Sequence, residues 1–272
     1  MRIINLIEDT KGIKNCLYEH GLCFYIETKK HKLLLDTGAT EAFLTNAKTL
    51  GIDLKKVDTV IISHGHYDHT GGLMSFVKIN PNAKIYIQKT AQGEFYNCRN
   101  QEEKYIGMDK NISSLEQVIF LEGDLKIDEE LSIFTGVTGR KLWPKGNEIL
   151  KQRCGNEFLQ DNFVHEQYLV IKEDDESVLL SGCAHNGILN ILEKYMEIYG
   201  ENPTYVISGF HMMKKGDYTE EDTKVIEETA YILRDMETKF YSGHCTGDYP
   251  LSVLKNIMKD KFVSIHSGET IF

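Results

Sequence analysis

The chain has 272 residues, with 31 Lys or Arg against 41 Asp or Glu, a formal net charge of −10. No basic block interleaved with aromatics offsets that acidity, which argues against nucleic acid as a partner; a small anionic ligand stays open, because bound divalent cations dominate the local field even of an acidic protein. Glu8, Asp9 and Lys11 leave no room for a signal peptide, no stretch approaches the ~20 apolar residues of a membrane helix, and Cys16, Cys23, Cys98, Cys154, Cys183 and Cys245 form no CxxC pair, so a reduced, soluble, cytoplasmic protein without a membrane partner is expected.

In chain order, strand-like runs are predicted at 3–7, 22–27 and 32–36, then a helix over 41–50, and further strands at 59–62, 84–88 and 118–121. The second half adds strands at 132–135, 168–172, 178–180, 205–207, 240–242, 262–265 and 270–272. Helices are predicted over 187–199, 219–237 and 250–259. Thr219 with Asp222 has the form of a capping box, and Pro250 suits a first helical turn. Hairpins followed by strands alternating with helices, then the same again, predict two packed sheets with helices outside. Four prolines and no low-complexity tract mark no linker, so one domain over 1–272 is expected. The stretch 95–163, which holds Tyr96, Tyr105 and Trp143, is a candidate lid or insert over a cleft, or ordinary loop packing.

The densest chemistry follows the strand at 59–62. Ser63-His64-Gly65-His66-Tyr67-Asp68-His69-Thr70-Gly71-Gly72 places three imidazoles and a carboxylate within six positions at a strand's C-terminal end. His64 and His66 are spaced to address one cation, and Asp68 and His69 a second. Three later strands each run into Ser-Gly and a histidine: Ser181-Gly182-Cys183-Ala184-His185, Ser208-Gly209-Phe210-His211 and Ser242-Gly243-His244. Four strand ends bearing histidines predict one site at the edge where α/β sheets bind ligands. His20 and His31 read as solvated loop residues and His266 as a structural or surface residue. His165 precedes a strand and is weighed mainly as structural. Cys183 reads either as a small buried thiol or as a metal contact.

His64-x-His66-x-Asp68-His69, Leu34-Leu35-Asp36-Thr37-Gly38 and the later strand-end histidines resemble the metallo-β-lactamase fold superfamily. The resemblance implies an α/β chain folded as a four-layer αββα sandwich. Asp68-His69-Thr70-Gly71-Gly72, Ser181 through Ile188, Ser208-Gly209-Phe210-His211 and Gly243-His244-Cys245-Thr246-Gly247 are similar to the group around dihydropterin-methyl-ribofuranosylaminobenzene 5′-phosphate synthase, many of whose bacterial members are called only metal-dependent hydrolases. Carried over by position, His64, His66 and His185 hold a first metal, and Asp68, His69 and His244 a second. Asp36 stands behind a ligand and holds it through hydrogen bonds. Cys183 occupies the place of the superfamily's bridging Asp, so that either the thiol or water bridges. His211 and Asn186 are expected at the substrate, and Asp68 to orient the attacking water or take its proton. The cofactor implied is one or two divalent ions, zinc first, with manganese, iron and nickel also suited.

The expected reaction is hydrolysis of a phosphoester or related anionic ester by a water ionised at the metal. The alternative is a transferase joining an arylamine ribose phosphate to a pterin methyl diphosphate. A di-iron redox role is disfavoured, because that pattern carries Glu where this chain has His66.

Overall fold

The computed structural model describes residues 1–13, 15–100 and 102–272. Apolar runs of the first half pair into a six-stranded sheet in the order Arg2–Ile7, Cys23–Glu27, Lys32–Leu35, Thr59–Ile61, Lys84–Gln88, Val118–Leu121. The first three strands form an antiparallel meander and the others join in parallel. The second half builds a seven-stranded sheet: Phe262–Ser264, Lys239–Ser242, Tyr205–Ile207, Glu176–Leu180, Tyr168–Glu173, Leu131–Phe134, Leu125–Lys126. Its first four strands are mutually parallel.

Because side chains on a strand alternate between faces, each sheet sorts its apolar residues into two layers. In the first sheet Leu34 and Val60 pack with Phe43 and Phe76 of the helices Ala42–Thr49 and Leu73–Ile79, whereas Leu33, Leu35 and Ile61 turn the other way. In the second, Val170, Leu179 and Val206 meet Leu192, Ile226 and Leu254 of the helices Ile188–Tyr199, Glu220–Arg234 and Asp248–Met258. Leu169, Ile171, Val178, Leu180 and Ile207 complete the layer that Leu33, Leu35 and Ile61 begin. Three apolar layers thus separate helix, sheet, sheet and helix.

The capping box is present in both directions: Asp222 N donates to Thr219 Oγ1, and Thr219 N to Asp222 Oδ2. The strand predicted at 270–272 is instead a single bridge, Ile4 to Thr270, with backbone bonds to Ile3 beside it. Its few residues at the chain terminus pair too briefly to propagate a ladder. The stretch 95–163, for which the sequence predicted few strands, contains a separate four-stranded antiparallel sheet: Glu157–Gln160, Leu150–Cys154, Glu94–Arg99, Glu102–Tyr105. Among the described residues no helix is long and apolar enough to cross a membrane.

Candidate metal centre

Parallel strands end at the same edge of their sheet, so Leu35, Ile61, Leu180, Ile207 and Ser242 deliver the turns that follow them to one seam. After Ile61 the backbone bends at His64 and Gly65, is extended at His66, at φ −85 and ψ 149, then closes into the single helical turn Tyr67–Thr70. That change of state aims His64 and His66 one way and Asp68 and His69 another. Asp36, at the end of its own strand, ties the two parts together. Its Oδ1 accepts from Ser63 N at 2.7 Å, and its Oδ2 accepts from Ser63 Oγ at 2.7 Å and lies 2.6 Å from His69 Nδ1. Ser63 Oγ lies 2.9 Å from His64 Nδ1.

His64, His69, His185 and His244 each have one nitrogen occupied by an outer partner, whereas His66 has none. His185 Nδ1 lies 2.9 Å from Asn147 Oδ1, while Asn147 Nδ2 donates to the His185 carbonyl at 2.7 Å. Phe163 stacks on the His185 ring at 4.4 Å. His244 Nδ1 lies 2.6 Å from Asp9 Oδ1. The opposite nitrogens of His185 and His244 are buried with no hydrogen-bond partner. His64 Nε2 and His66 Nδ1 face each other at 3.1 Å, near the ~3.3 Å edge of a tetrahedron with arms of 2.0–2.1 Å. Buried polar atoms left unpaired are costly, and imidazoles held in one tautomer by an outer partner are the usual form of metal-binding histidines. The residues therefore fit a cation.

Of five groups with donor atoms within 4.8 Å of one another among the described residues, one of which joins His66 instead to Asp161 and His165, two hold most of the expected ligands: Asp68, His69, Cys183 and His244, and His64, Cys183 and His185. Cys183 belongs to both, its Sγ 3.2 Å from His69 Nε2. It has the position of a shared corner in place of the expected carboxylate.

The electrostatics suit ligation. Burial, reinforced by neighbouring imidazoles, holds His64 and His185 well below the usual histidine range, and burial with His165 brings His66 to about 3. These rings are neutral donors at physiological pH. Burial alone would raise Asp68, but His69, His244 and His20 outweigh it and keep the group a carboxylate. Its Oδ2 lies 3.6 Å from His69 Nε2 and 3.5 Å from the Nε2 of both His244 and His20.

The turns are tightly built. Asp36, Ala184, His211 and His244 have φ of 61, 51, 49 and 51, a left-handed state that costs a non-glycine residue ~1–2 kcal/mol. A Cβ on Gly182 would collide with Ser63 Oγ, and one on Gly209 would meet Cys245 Sγ at 2.5 Å. The Ser-Gly pattern thus lets adjacent strand ends approach.

A cavity of about 470 Å³ opens over the cluster, lined by His66, Asp68, Cys183, His185 and His211 among others. His211 lies with its ring centroid 4.1 Å from His185 and its Nδ1 partnerless. Asn186, expected at the substrate, does not line this cavity: its buried amide donates to Glu166 Oε2, Tyr168 Oη and the Phe163 carbonyl, and accepts from Arg140. Every polar atom of its side chain is already bonded, so its role is to brace the turn. His20 is a loop residue with its side chain 47% exposed, as expected, yet it also stacks on His244 at 5.1 Å and its Nδ1 lies 2.8 Å from Asp9. His31 likewise sits between Asp58 and Asp128. His165 is buried beside the cluster, accepting from Gly65 N and paired with Asp161.

Asp9, Asn147 and Glu166 escaped the sequence reading. For Asp9 a signal existed: an acidic pair directly follows the apolar run Arg2–Ile7, as Asp36 follows its strand. Asn147 and Glu166 lie in no such pattern.

Residues 18–144 match the metallo-beta-lactamase superfamily. The chain is 29% identical to the 7,8-dihydropterin-6-methyl-4-(beta-D-ribofuranosyl)-aminobenzene-5'-phosphate synthase of Methanocaldococcus jannaschii, over 100% of this chain and 96% of that protein. It is 27% identical to an uncharacterized protein of the same organism, over 99% of each. Among solved structures, Tm1679, a metal-dependent hydrolase of the beta-lactamase superfamily, superposes with a TM-score of 0.84 at 29% identity, over 100% of this chain and 98% of that one. The superfamily match thus covers residues 18–144, and over its full length the chain has the fold of Tm1679.

Proposed function

We propose that the chain hydrolyses a phosphoester or related anionic ester, with one or two divalent ions, zinc foremost, held by His64, His66 and His185 and by Asp68, His69 and His244. The chain is read as one domain over 1–272 with the small sheet as its lid, acting in the cytoplasm on a small anionic molecule rather than on nucleic acid or membrane. One observation carries the choice of substrate: in a chain of net charge −10, the cavity over the histidines is lined by Arg99, Lys104, Lys214 and Lys215 against only Asp68 and Glu102.

Such ions, when bound, supply an ionised water near neutral pH and neutralise charge developing on the reacting oxygen. Asp68, kept ionised by the surrounding imidazoles, orients the attacking water and takes up its proton. His211 reaches the cavity with an unpaired Nδ1 and donates to the leaving oxygen. Phe163 and Phe95 close off solvent behind His185 and His66. The second reading, transfer of an arylamine to a pterin methyl diphosphate, is favoured by full-length similarity to a protein named as a synthase.

Steady release of nitrophenol from a chromogenic phosphodiester without any pterin supports hydrolysis; diphosphate release only when both co-substrates are present supports transfer. His66→Ala should lose bound metal and activity together. A variant that kept full metal stoichiometry by elemental analysis would overturn the ligand assignment.

A further inference from the structure

The inward face of the small sheet is apolar at one end, where Phe95 and Leu150 are buried, and polar at the other. A sheet with one covered face normally turns its apolar residues inward and its polar residues to water. Here Tyr96, Tyr105 and Phe158 cluster on one face, with ring centroids 5.4 and 5.1 Å from Tyr96, and Tyr105 is 39% exposed. The alternate positions Asn97 and Arg99 point the other way. In register, Asn97 stands opposite Leu150 on one neighbouring strand and Lys104 on the other, and Arg99 opposite Glu102. Directly paired residues share a face, and all five line the cavity above the histidines. A row of charged and amide groups is therefore turned into a pocket while the aromatic face is left partly to solvent.

Arg99 has no ion pair among the described residues, although Glu102 is its cross-strand neighbour. Lys104 likewise has none and lies over the Tyr67 ring at 5.3 Å. Across the cavity Lys214 is held by Asp222 at 2.5 Å, and Lys215 has no ion pair among the described residues. The strand Glu94–Arg99 begins at the metal cluster, where Phe95 lies 4.0 Å from His165 and 5.8 Å from His66 by ring centroids. Four residues further along, at ~3.3 Å per residue, Arg99 stands ~13 Å away. The roof is anchored to the metal-binding turn by Tyr67 N donating to the Ile106 carbonyl at 2.8 Å, which fixes that offset.

We propose that the inward face of the small sheet, with Arg99 and Lys104 as its charged groups, binds a second, non-reacting phosphate of the substrate, so that the preferred substrates are phosphoesters bearing two separated phosphate groups. A planar guanidinium without a protein partner is suited to a two-pronged bond with a phosphate, and Asn97 beside it offers a neutral donor. Glu102 limits the pull on a singly charged ligand and sharpens the preference for a doubly charged one. The inference rests on the hydrolase reading only for what happens at the metal end.

The test is calorimetric, on the metal-loaded full chain, with hexane-1,6-diyl bisphosphate and hexyl phosphate as probes. The bisphosphate should bind roughly 10- to 100-fold more tightly, the worth of one charge-assisted contact. Arg99→Gln should remove most of that preference while weakening hexyl phosphate far less, and Glu102→Gln should tighten the bisphosphate. Lys104→Gln, confirmed folded by circular dichroism, provides a second variant with the same expected direction. Equal affinity for the two probes, or a preference that survives both Arg99→Gln and Lys104→Gln, overturns the proposal. Turnover of a chromogenic phosphodiester is measured separately: its absence with the binding preference intact would count against the hydrolase reading and leave the roof assignment standing.

Discussion

At the scale of single residues, a carboxylate behind an imidazole sets how well that imidazole donates to a cation. Asp36 performs this for His69 and Asp9 for His244, at 2.6 Å in both cases. Losing such a partner costs about 10–100-fold in metal affinity. Asp9→Ala should show that loss in competition with a chromogenic chelator, and affinity within twofold of wild type would contradict it. Asp36→Ala should lose affinity and also stability, because Ser63 N and Oγ are then left buried without their acceptor. The six ligand candidates were legible because each sits in a local pattern, either the His64–His69 cluster or a Ser-Gly turn. Asp9 joins His244 across 235 positions and Asn147 joins His185 across 38, so only the fold brings them together. Asn186 was misplaced for the converse reason: it follows His185 directly, but the turn points its amide back into the protein.

At the scale of elements, four helices were legible from their periodicity and one of them with its cap, whereas Tyr67–Thr70 and Leu73–Ile79 were too short to be read. Asp222 closes the N-terminus of Glu220–Arg234 and accepts from Lys214; the Lys214 and Thr219 hydrogen bonds bring it down to about 2 from 3.8. A carboxyl lower in the folded than in the unfolded chain stabilises fully above the unfolded value and loses that contribution as pH falls through the folded one. Asp222→Ala should therefore cost ~1 kcal/mol at pH 7, with the gap to wild type narrowing between pH 4 and 2, as followed by urea unfolding. A gap constant with pH would show that the charge plays no part. The small sheet, by contrast, was not legible. Its strands Glu94–Arg99 and Glu102–Tyr105 put Tyr96 and Tyr105 outward and, beyond the buried Phe95, Asn97, Arg99 and Lys104 inward, so neither face is uniformly apolar and a search for period-two alternation misses them.

At the scale of the whole molecule, two packed sheets with helices outside were legible from the succession of strands and helices and the αββα order from the family resemblance; the structure shows the layers, with Leu34 against Leu33 and Leu35, and Leu179 against Val178 and Leu180, separated by face. Which strand neighbours which was not legible, because pairing depends on contacts distant in sequence. The ligand groups draw on both halves, with Asp68 and His69 from the first and Cys183 and His244 from the second. A cation bound there fastens the two sheets together and stabilises only the folded state. At a free metal concentration 100 times Kd this amounts to about 2.7 kcal/mol, or a rise in Tm of roughly 5–10 °C for a chain of this size. Calorimetry before and after chelation, with metal restored afterwards, checks this; an unchanged Tm would show that no cation binds the folded state preferentially.

The contacts of Glu8 and Asp9 with His244 span 236 and 235 positions, and this has a consequence for biosynthesis. At about 5–20 residues per second, ribosomal elongation needs roughly 12–50 s to make the second partner after the first. For most of that interval His64, His66, Asp68 and His69 exist without His185 and His244. The nascent chain is therefore a poor scavenger of metal, and the ion is chosen late, by a completed fold.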